Sequence, residues 1–426
     1  MSLTIILVFL AVAALGLPMA FGLGLAALVG IAGSGFPLNV LPSRMMNAVN
    51  AFPLMSIPFF VLAGEVMLKA GIMEQLIGLA NAFVGRLRGG LAHVTMGAGL
   101  GLSTVSGAAV ADASALASIL FKPLSAIYGP AFSAAVISAA ANLGPLIPPS
   151  GAMIVYAFMA GPSVSVGGLF MSGVVPGLIL VVLMMGMCSF IAHRQQLPLT
   201  GEAFSWRRAG IEIRRSVILL LMPVIVIGGI VSGAFTATEG SAIAVIYALI
   251  VGFFVTRKLR LADLPEALVN TAITSAVVGA MIAFASIVTY ILTIEQLPQQ
   301  ISLLLRSMTS DPIMFILLVT VMLVIVGCVL ESTAAYIMLV PLLHPVALQY
   351  GIDPLHFGFL FVFNLVIGML TPPVGVVLFV VSGITRTPIG QMSWAILPFV
   401  VVMYLLLVVC IFVPQLVLWL PHRLGY

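Results

Sequence analysis

Charged residues are scarce in this sequence: they make up 7% of 426 residues, against 62% hydrophobic, and the mean hydropathy is +1.29. Such a chain cannot present an ordinary aqueous surface, which draws roughly a quarter of its residues from Asp, Glu, Lys and Arg. Soluble fold classes are therefore excluded. Cysteine is also sparse. Cys188, Cys328 and Cys410 are odd in number, scattered and set in apolar sequence, which supports neither a disulfide framework nor a zinc site. No G-x-x-x-x-G-K segment occurs, so nothing points to direct ATP coupling. The start, MSLTIILVFLAVAALGLPMAFGLG, lacks a basic n-region and reads as a retained first helix. The net charge of +4 and pI near 9.1 do not indicate nucleic acid, because the basic residues concentrate in 194–215 and 257–260. Clusters of this kind beside apolar spans mark the cytoplasmic side of a membrane.

What the sequence has in quantity is apolar runs long enough to cross a bilayer, which requires about twenty residues as helix. They recur from end to end and leave no room for a separate soluble domain. The expected fold is an all-α, multi-pass integral membrane protein. Spans are expected near 3–17, 19–35, 52–80, 92–124, 130–160, 168–192, 216–234, 239–256, 266–293, 312–347, 355–384 and 394–420. Segments 92–124 and 312–347 have polar, small-residue middles, which suit helical hairpins re-entering the protein. Such backbone is tolerated at membrane depth only where protein or water satisfies it. With 193–215 cytoplasmic, the first hairpin opens to the cytoplasm and the second to the outside. The methionines and phenylalanines are expected to face lipid or pack the core.

The chain also repeats itself. Lys122-Pro123 and His344-Pro345 lie 222 residues apart, as do Gly129 and Gly351, and the pairs Pro148-Pro149 and Pro372-Pro373 lie 224 apart. Residues 1–192 and 216–426 are thus expected to be two inverted repeats joined by a cytoplasmic segment, 193–215. Each supplies scaffold helices, a hairpin and a broken helix, the latter near 130–160 and 355–384. Interrupted segments at matching places in two halves point to the central site of a secondary transporter, and halves of opposite topology are the basis of alternating access.

Proline removes a donor and frees a carbonyl about four residues earlier, leaving backbone oxygen available at depth. Sodium, a small hard cation, needs such oxygens. Near the first break the candidate donors are Asn142, Gly144, Pro145 and Pro148, facing Ser103, Ser106 and Gly107. Near the second they are Gly368, Thr371 and Pro373, facing Gly327, Cys328 and Glu331. Ser150, Ser332 and Thr333 are candidate contacts to a solute. Asp112, Glu239 and Glu331 are carboxylates within or near membrane depth, where each needs a cavity, a cation or a partner. Asp112 and Glu331 read as parts of cation-binding tips or as helix caps. Glu239, in SGAFTATEGSA, reads equally as a cap or as a gating or contact residue. Prolines that merely kink a helix are the competing reading of both breaks. No Lys or Arg lies clearly inside the core, so an anionic solute would be held by the free N–H groups of half-helix starts. His93, His344 and His356 fall near segment ends as satisfied histidines, which favours sodium over proton coupling.

With these residues in view, the chain resembles the large membrane subunit of a tripartite ATP-independent periplasmic (TRAP) transporter. The similarity runs through VSGAAVADA (105–113), LGPLIPPS (143–150), FTATEG (235–240), GCVLESTAA (327–335) and LTPPVG (370–375). The resemblance implies an elevator-type sodium symporter in the bacterial inner membrane, with sodium (Na+) sites at the hairpin tips and helix breaks. It implies organic acid anions as substrates, such as C4-dicarboxylates, keto acids and sugar acids. It also implies two partners: a small membrane subunit of about four helices, expected as a separate polypeptide, and a soluble periplasmic substrate-binding protein. An enzyme is not expected, since an intramembrane hydrolase would need a carboxylate pair or Ser-His dyad on facing helices. A stand-alone ion-coupled anion transporter of related fold, needing no binding protein, remains the main competing reading, with an ion channel behind it.

Overall fold

The structure, a computed structural model, describes residues 2–15, 17, 19–35, 37–199, 204–372 and 375–426. The described residues form helices and turns, with a single isolated bridge between Arg88 and Leu199. The first part of the chain gives α1 (Ser2–Ala14), α2 (Met19–Ser34), α3 (Val40–Val49), α4 (Ser56–Lys69) and α5 (Ile72–Val84). It continues as α6 (Gly90–Ser106), α7 (Ala109–Tyr128), α8 (Pro130–Ala141), α9 (Gly151–Ala160) and α10 (Val166–Arg194). The second part gives α11 (Trp206–Val231), α12 (Ala237–Ile250), α13 (Leu264–Ile294), α14 (Leu297–Met308) and α15 (Pro312–Val329). It ends with α16 (Ser332–Gln349), α17 (Pro354–Gly368), α18 (Val376–Thr385), α19 (Ile389–Phe412) and α20 (Gln415–Arg423). Among the described residues, eight helical stretches are long and apolar enough to cross a membrane.

Several expected spans divide further. The run 52–80 is two helices, because Gly71 takes a left-handed conformation (φ +79°) that ends α4 and starts α5. The connecting segment is shorter than 193–215, since α11 already begins at Trp206 and its first turns carry the Glu212–Arg215 ion pair at 3.3 Å. The last run splits at Pro414 into α19 and α20. Helix α14 was not expected at all. It is amphipathic, with Leu303, Leu304 and Met308 exposed, and meets α15 at a bend of 117°. A helix with one apolar stripe lies on a surface, whereas one apolar all round is buried. Helix α17 is of the second kind, with Phe357, Phe359, Phe361 and Phe363 each 2% exposed or less.

The order α5 to α10 (arm, hairpin limbs, broken helix, long helix) recurs in α14 to α19. The packing is reciprocal across the two halves: α9 lies on α16 while α18 lies on α7, and α4 lies on α12 while α13 lies on α2. Gly-rich and small surfaces allow this close approach; at Gly99, for example, a Cβ would sit 2.9 Å from the Ala140 Cβ. His344 of α16 ties the halves together through Tyr156 Oη (3.0 Å) and Ser163 Oγ (2.9 Å). His93 and His356 are likewise satisfied, by Gly89 O and Ser189 Oγ in one case and by Cys410 O in the other.

Candidate functional site

The tip of the α6–α7 hairpin is built by Gly107, whose φ of +62° closes α6 while its N–H bonds Ser103 O. Ala108 is extended, and α7 starts at once. That tight turn places Asp112 in the first turn of α7 with no exposure to solvent. Ser106 donates to Asp112 Oδ1, while Asp112 Oδ2 is buried without any partner. The tip seats on the first break, residues 142–150. A Cβ on Gly144 would meet Asp112 Oδ2 at 2.6 Å and the Ala108 backbone at 3.2 Å, and a Cβ on Gly107 would run into Pro149 O. Only glycine fits at these two contacts.

The break itself is held by turns rather than helix. Leu143 and Gly144 bond back to Ala140 and Ala141, and Ser150 caps α9 by accepting from Met153 N while donating to Pro145 O at 2.6 Å. Pro145, Pro148 and the rest of 142–150 are buried. Asn142, at the C-terminus of α8, is fully buried. Its Nδ2 donates to Val366 O of α17 at 2.8 Å, and its Oδ1 has no partner. A carbonyl can only accept, so the amide orientation is fixed by that bond. A buried polar atom left unpaired costs about 1–3 kcal/mol, so two such oxygens at one break need an explanation.

The second tip differs. It carries no glycine turn: Leu330 is extended and Glu331 is the N-cap of α16. The Glu331 carboxylate accepts from Ala334 N (3.1 Å), Thr333 Oγ1 (2.8 Å) and Ser332 Oγ (3.3 Å). Gly327 of α15 packs on Gly368 at the second break, where a Cβ on Gly368 would sit 2.7 Å from the Gly327 Cα. Ser332 Oγ also reaches Met369 Sδ at 3.5 Å, and Thr371 Oγ1 donates to Ile367 O at 2.9 Å. Cys328 is half-buried beside this contact. Pro373 lies outside the described residues.

One residue of this site is absent from the sequence reading. Asn364, on α17 just before the second break, is 1% exposed, donates to Thr320 O at 3.1 Å and keeps Oδ1 unpartnered. It stands 222 residues after Asn142, the register already given by Gly129 and Gly351. That spacing was the available signal. In the other direction, Glu239 is not a buried membrane carboxylate. It is an exposed N3 residue in a capping box, bonded to Thr236 N at 2.8 Å and to Thr236 Oγ1 at 3.0 Å, which satisfies the orphan donors of the α12 start.

The first tip opens onto a cavity of about 720 Å3 between α4, α5, α7 and α13, lined in part by Glu65, Ser106, Ala108, Ser114, Ser118 and Asn270. Ser114 and Ser118, one turn apart on α7, give that helix a polar stripe on the cavity side. Glu65 accepts from Asn270 at 3.4 Å across it. Among the described residues no three His, Cys, Asp or Glu side chains cluster as metal ligands. The oxygens at the breaks and tips are carbonyls, amides, hydroxyls and two carboxylates, Asp112 and Glu331, a set of hard donors.

Residues 6–416 match the family model of the tripartite ATP-independent periplasmic transporter, DctM component. The chain belongs to the DctM family. It is 38% identical over 386 residues to the C4-dicarboxylate TRAP transporter large permease protein DctM of Pseudomonas aeruginosa, covering 90% of each chain. It is 37% identical over 403 residues to the isethionate TRAP transporter permease protein DctMQ of Oleidesulfovibrio alaskensis, covering 94% of this chain and 63% of that longer one. The crystal structure of the YdaH transporter of Alcanivorax borkumensis superposes with a TM-score of 0.64 at 17% identity, over 91% of this chain and 90% of that one. That likeness shows a shared fold. The DctM chain is accordingly a multi-pass membrane component of a TRAP transporter.

Proposed function

We propose that this DctM chain carries out sodium-coupled uptake of an organic acid anion across the bacterial inner membrane. Its solute is delivered by a periplasmic binding protein and its scaffold is extended by a separate small subunit of about four helices. The observation that carries the reading is the set of unpartnered buried oxygens at the breaks: Asp112 Oδ2 and Asn142 Oδ1 at the first, Asn364 Oδ1 at the second. A sodium ion would supply the missing partner. Around it, Ser103, Ser106, Gly107, Gly144, Pro145 and Pro148 offer further oxygens at the first site. Gly327, Cys328, Glu331, Gly368 and Thr371 offer theirs at the second, Pro373 being a candidate on sequence alone, and Ser150, Ser332 and Thr333 are the proposed contacts to the solute. The relatives' names carry C4-dicarboxylates and isethionate, both organic acids, which supports an anionic solute.

The reciprocal packing of the halves supports two inverted repeats. In an elevator motion, α6–α9 and α15–α18 would move as one body against α1–α4 and α11–α13, with the cavity beside α7 as the solute's path. Halves related in this way exchange roles when the moving body crosses the membrane. The test is uptake into proteoliposomes containing the complete complex and its binding protein. Uptake should rise with an inward sodium gradient and stall when sodium is replaced by choline. Equal uptake in both media would overturn the coupling, and uptake by this chain alone would favour a stand-alone transporter.

A further inference from the structure

The two asparagines that mark the breaks occupy matched positions, yet their donors go to different places. Asn364 Nδ2 bonds Thr320 O of α15, within its own half. Asn142 Nδ2 crosses to the other half and bonds Val366 O, two residues beyond its own counterpart and within the last turn before the second break. Val366 O also accepts from Met369 N at 3.2 Å, so the bond from Asn142 lands on the carbonyl that shapes the second break's first turn. One fully buried side chain therefore touches both breaks.

We infer that Asn142 is a positioning residue that couples the two cation sites, an inference that rests on the sodium reading above. A cation drawn to Asn142 Oδ1 polarises the amide, and its N–H then holds Val366 O more firmly, since linked hydrogen bonds strengthen one another in a buried setting. The first ion thereby orders the carbonyl frame that receives the second. Linkage makes the effect reciprocal: the second ion raises affinity for the first by the same factor. The Asn364 amide donor is spent on Thr320 O within its own half, so the coupling runs through Asn142 and not through its counterpart.

Cys328 is a native reporter for the test. It is half-buried beside the second break, while Cys188 and Cys410 are buried. In the full complex, the rate at which a maleimide modifies Cys328 is followed by peptide mass spectrometry across a sodium titration balanced with choline. Wild type should show protection that rises steeply, with a Hill coefficient above one. In Asn142→Asp, an oxygen remains for the first ion but an acceptor replaces the donor facing Val366 O. Protection should persist there, with its midpoint raised about tenfold and its steepness lost. Asn142→Ser, whose hydroxyl is too short to reach either Val366 O or the position of Oδ1, removes the first ligand together with the link; its curve should also lose its steepness, and it serves if the aspartate variant does not assemble. A wild-type curve in either variant would overturn the coupling. Absence of any sodium effect on wild-type Cys328 would instead overturn the sodium reading on which it rests.

Discussion

Substituting Gly144 by alanine tests whether the space between the first hairpin tip and the first break is an ion cradle. The added methyl would lie 2.6 Å from Asp112 Oδ2 and 3.2 Å from the backbone N and C of Ala108. It would fill the space in front of the unpartnered carboxylate oxygen, and the backbone of Ala108 cannot rotate away. Gly144 is not among the residues with positive φ, so alanine brings no left-handed strain and the effect stays local. Overpacking of this kind costs about 1–3 kcal/mol. Placed on the sodium-bound state, that range corresponds to a loss of sodium affinity of about five- to 150-fold. The assay is the sodium activation curve for uptake in proteoliposomes, read beside the thermal unfolding of the purified complex. Gly151→Ala is the control, because its methyl would meet only Gly107 O, at 4.0 Å. A Gly144→Ala complex with the wild-type sodium midpoint would refute the reasoning.

Two further substitutions separate capping from ion binding. Glu331→Ser keeps an N-cap acceptor at the start of α16 but removes the carboxylate; the complex should remain folded while its sodium midpoint rises at least about tenfold, and an unchanged midpoint would leave Glu331 a cap alone. Thr236→Ala dismantles the capping box with Glu239, and should lower stability by about 1 kcal/mol in thermal unfolding with no change in the sodium curve.

Much of this arrangement is legible in sequence because proline and glycine act on their own backbone. The pairs at 148–149 and 372–373 and the glycine at 107 mark both breaks and the first tip without knowledge of any neighbour. Asp112 stands out because a carboxylate in an apolar run must be compensated. What stayed hidden depends on partners far along the chain. Asn364 sits in FVFNLVIG, where one amide hardly alters hydropathy, and only its register with Asn142 betrays it. The bond from Asn142 to Val366 spans 224 residues and is invisible to any local pattern. Helix α5 merged with α4 because apolar sequence runs on through Gly71, and α14 escaped notice because its amphipathic face keeps its average hydropathy low. Glu239 looked intramembrane for the opposite reason: its span begins at the cap, and the apolar residues that follow say nothing about how far the first turn is buried.

The central claim is most directly tested by equilibrium binding of radioactive sodium to the purified complex, wild type against Asp112→Asn. The amide preserves the shape of the side chain and an oxygen for Ser106, but removes the charge. The account predicts that one saturable component of sodium binding is lost in the variant while the complex stays intact. Undiminished sodium binding by Asp112→Asn would contradict it.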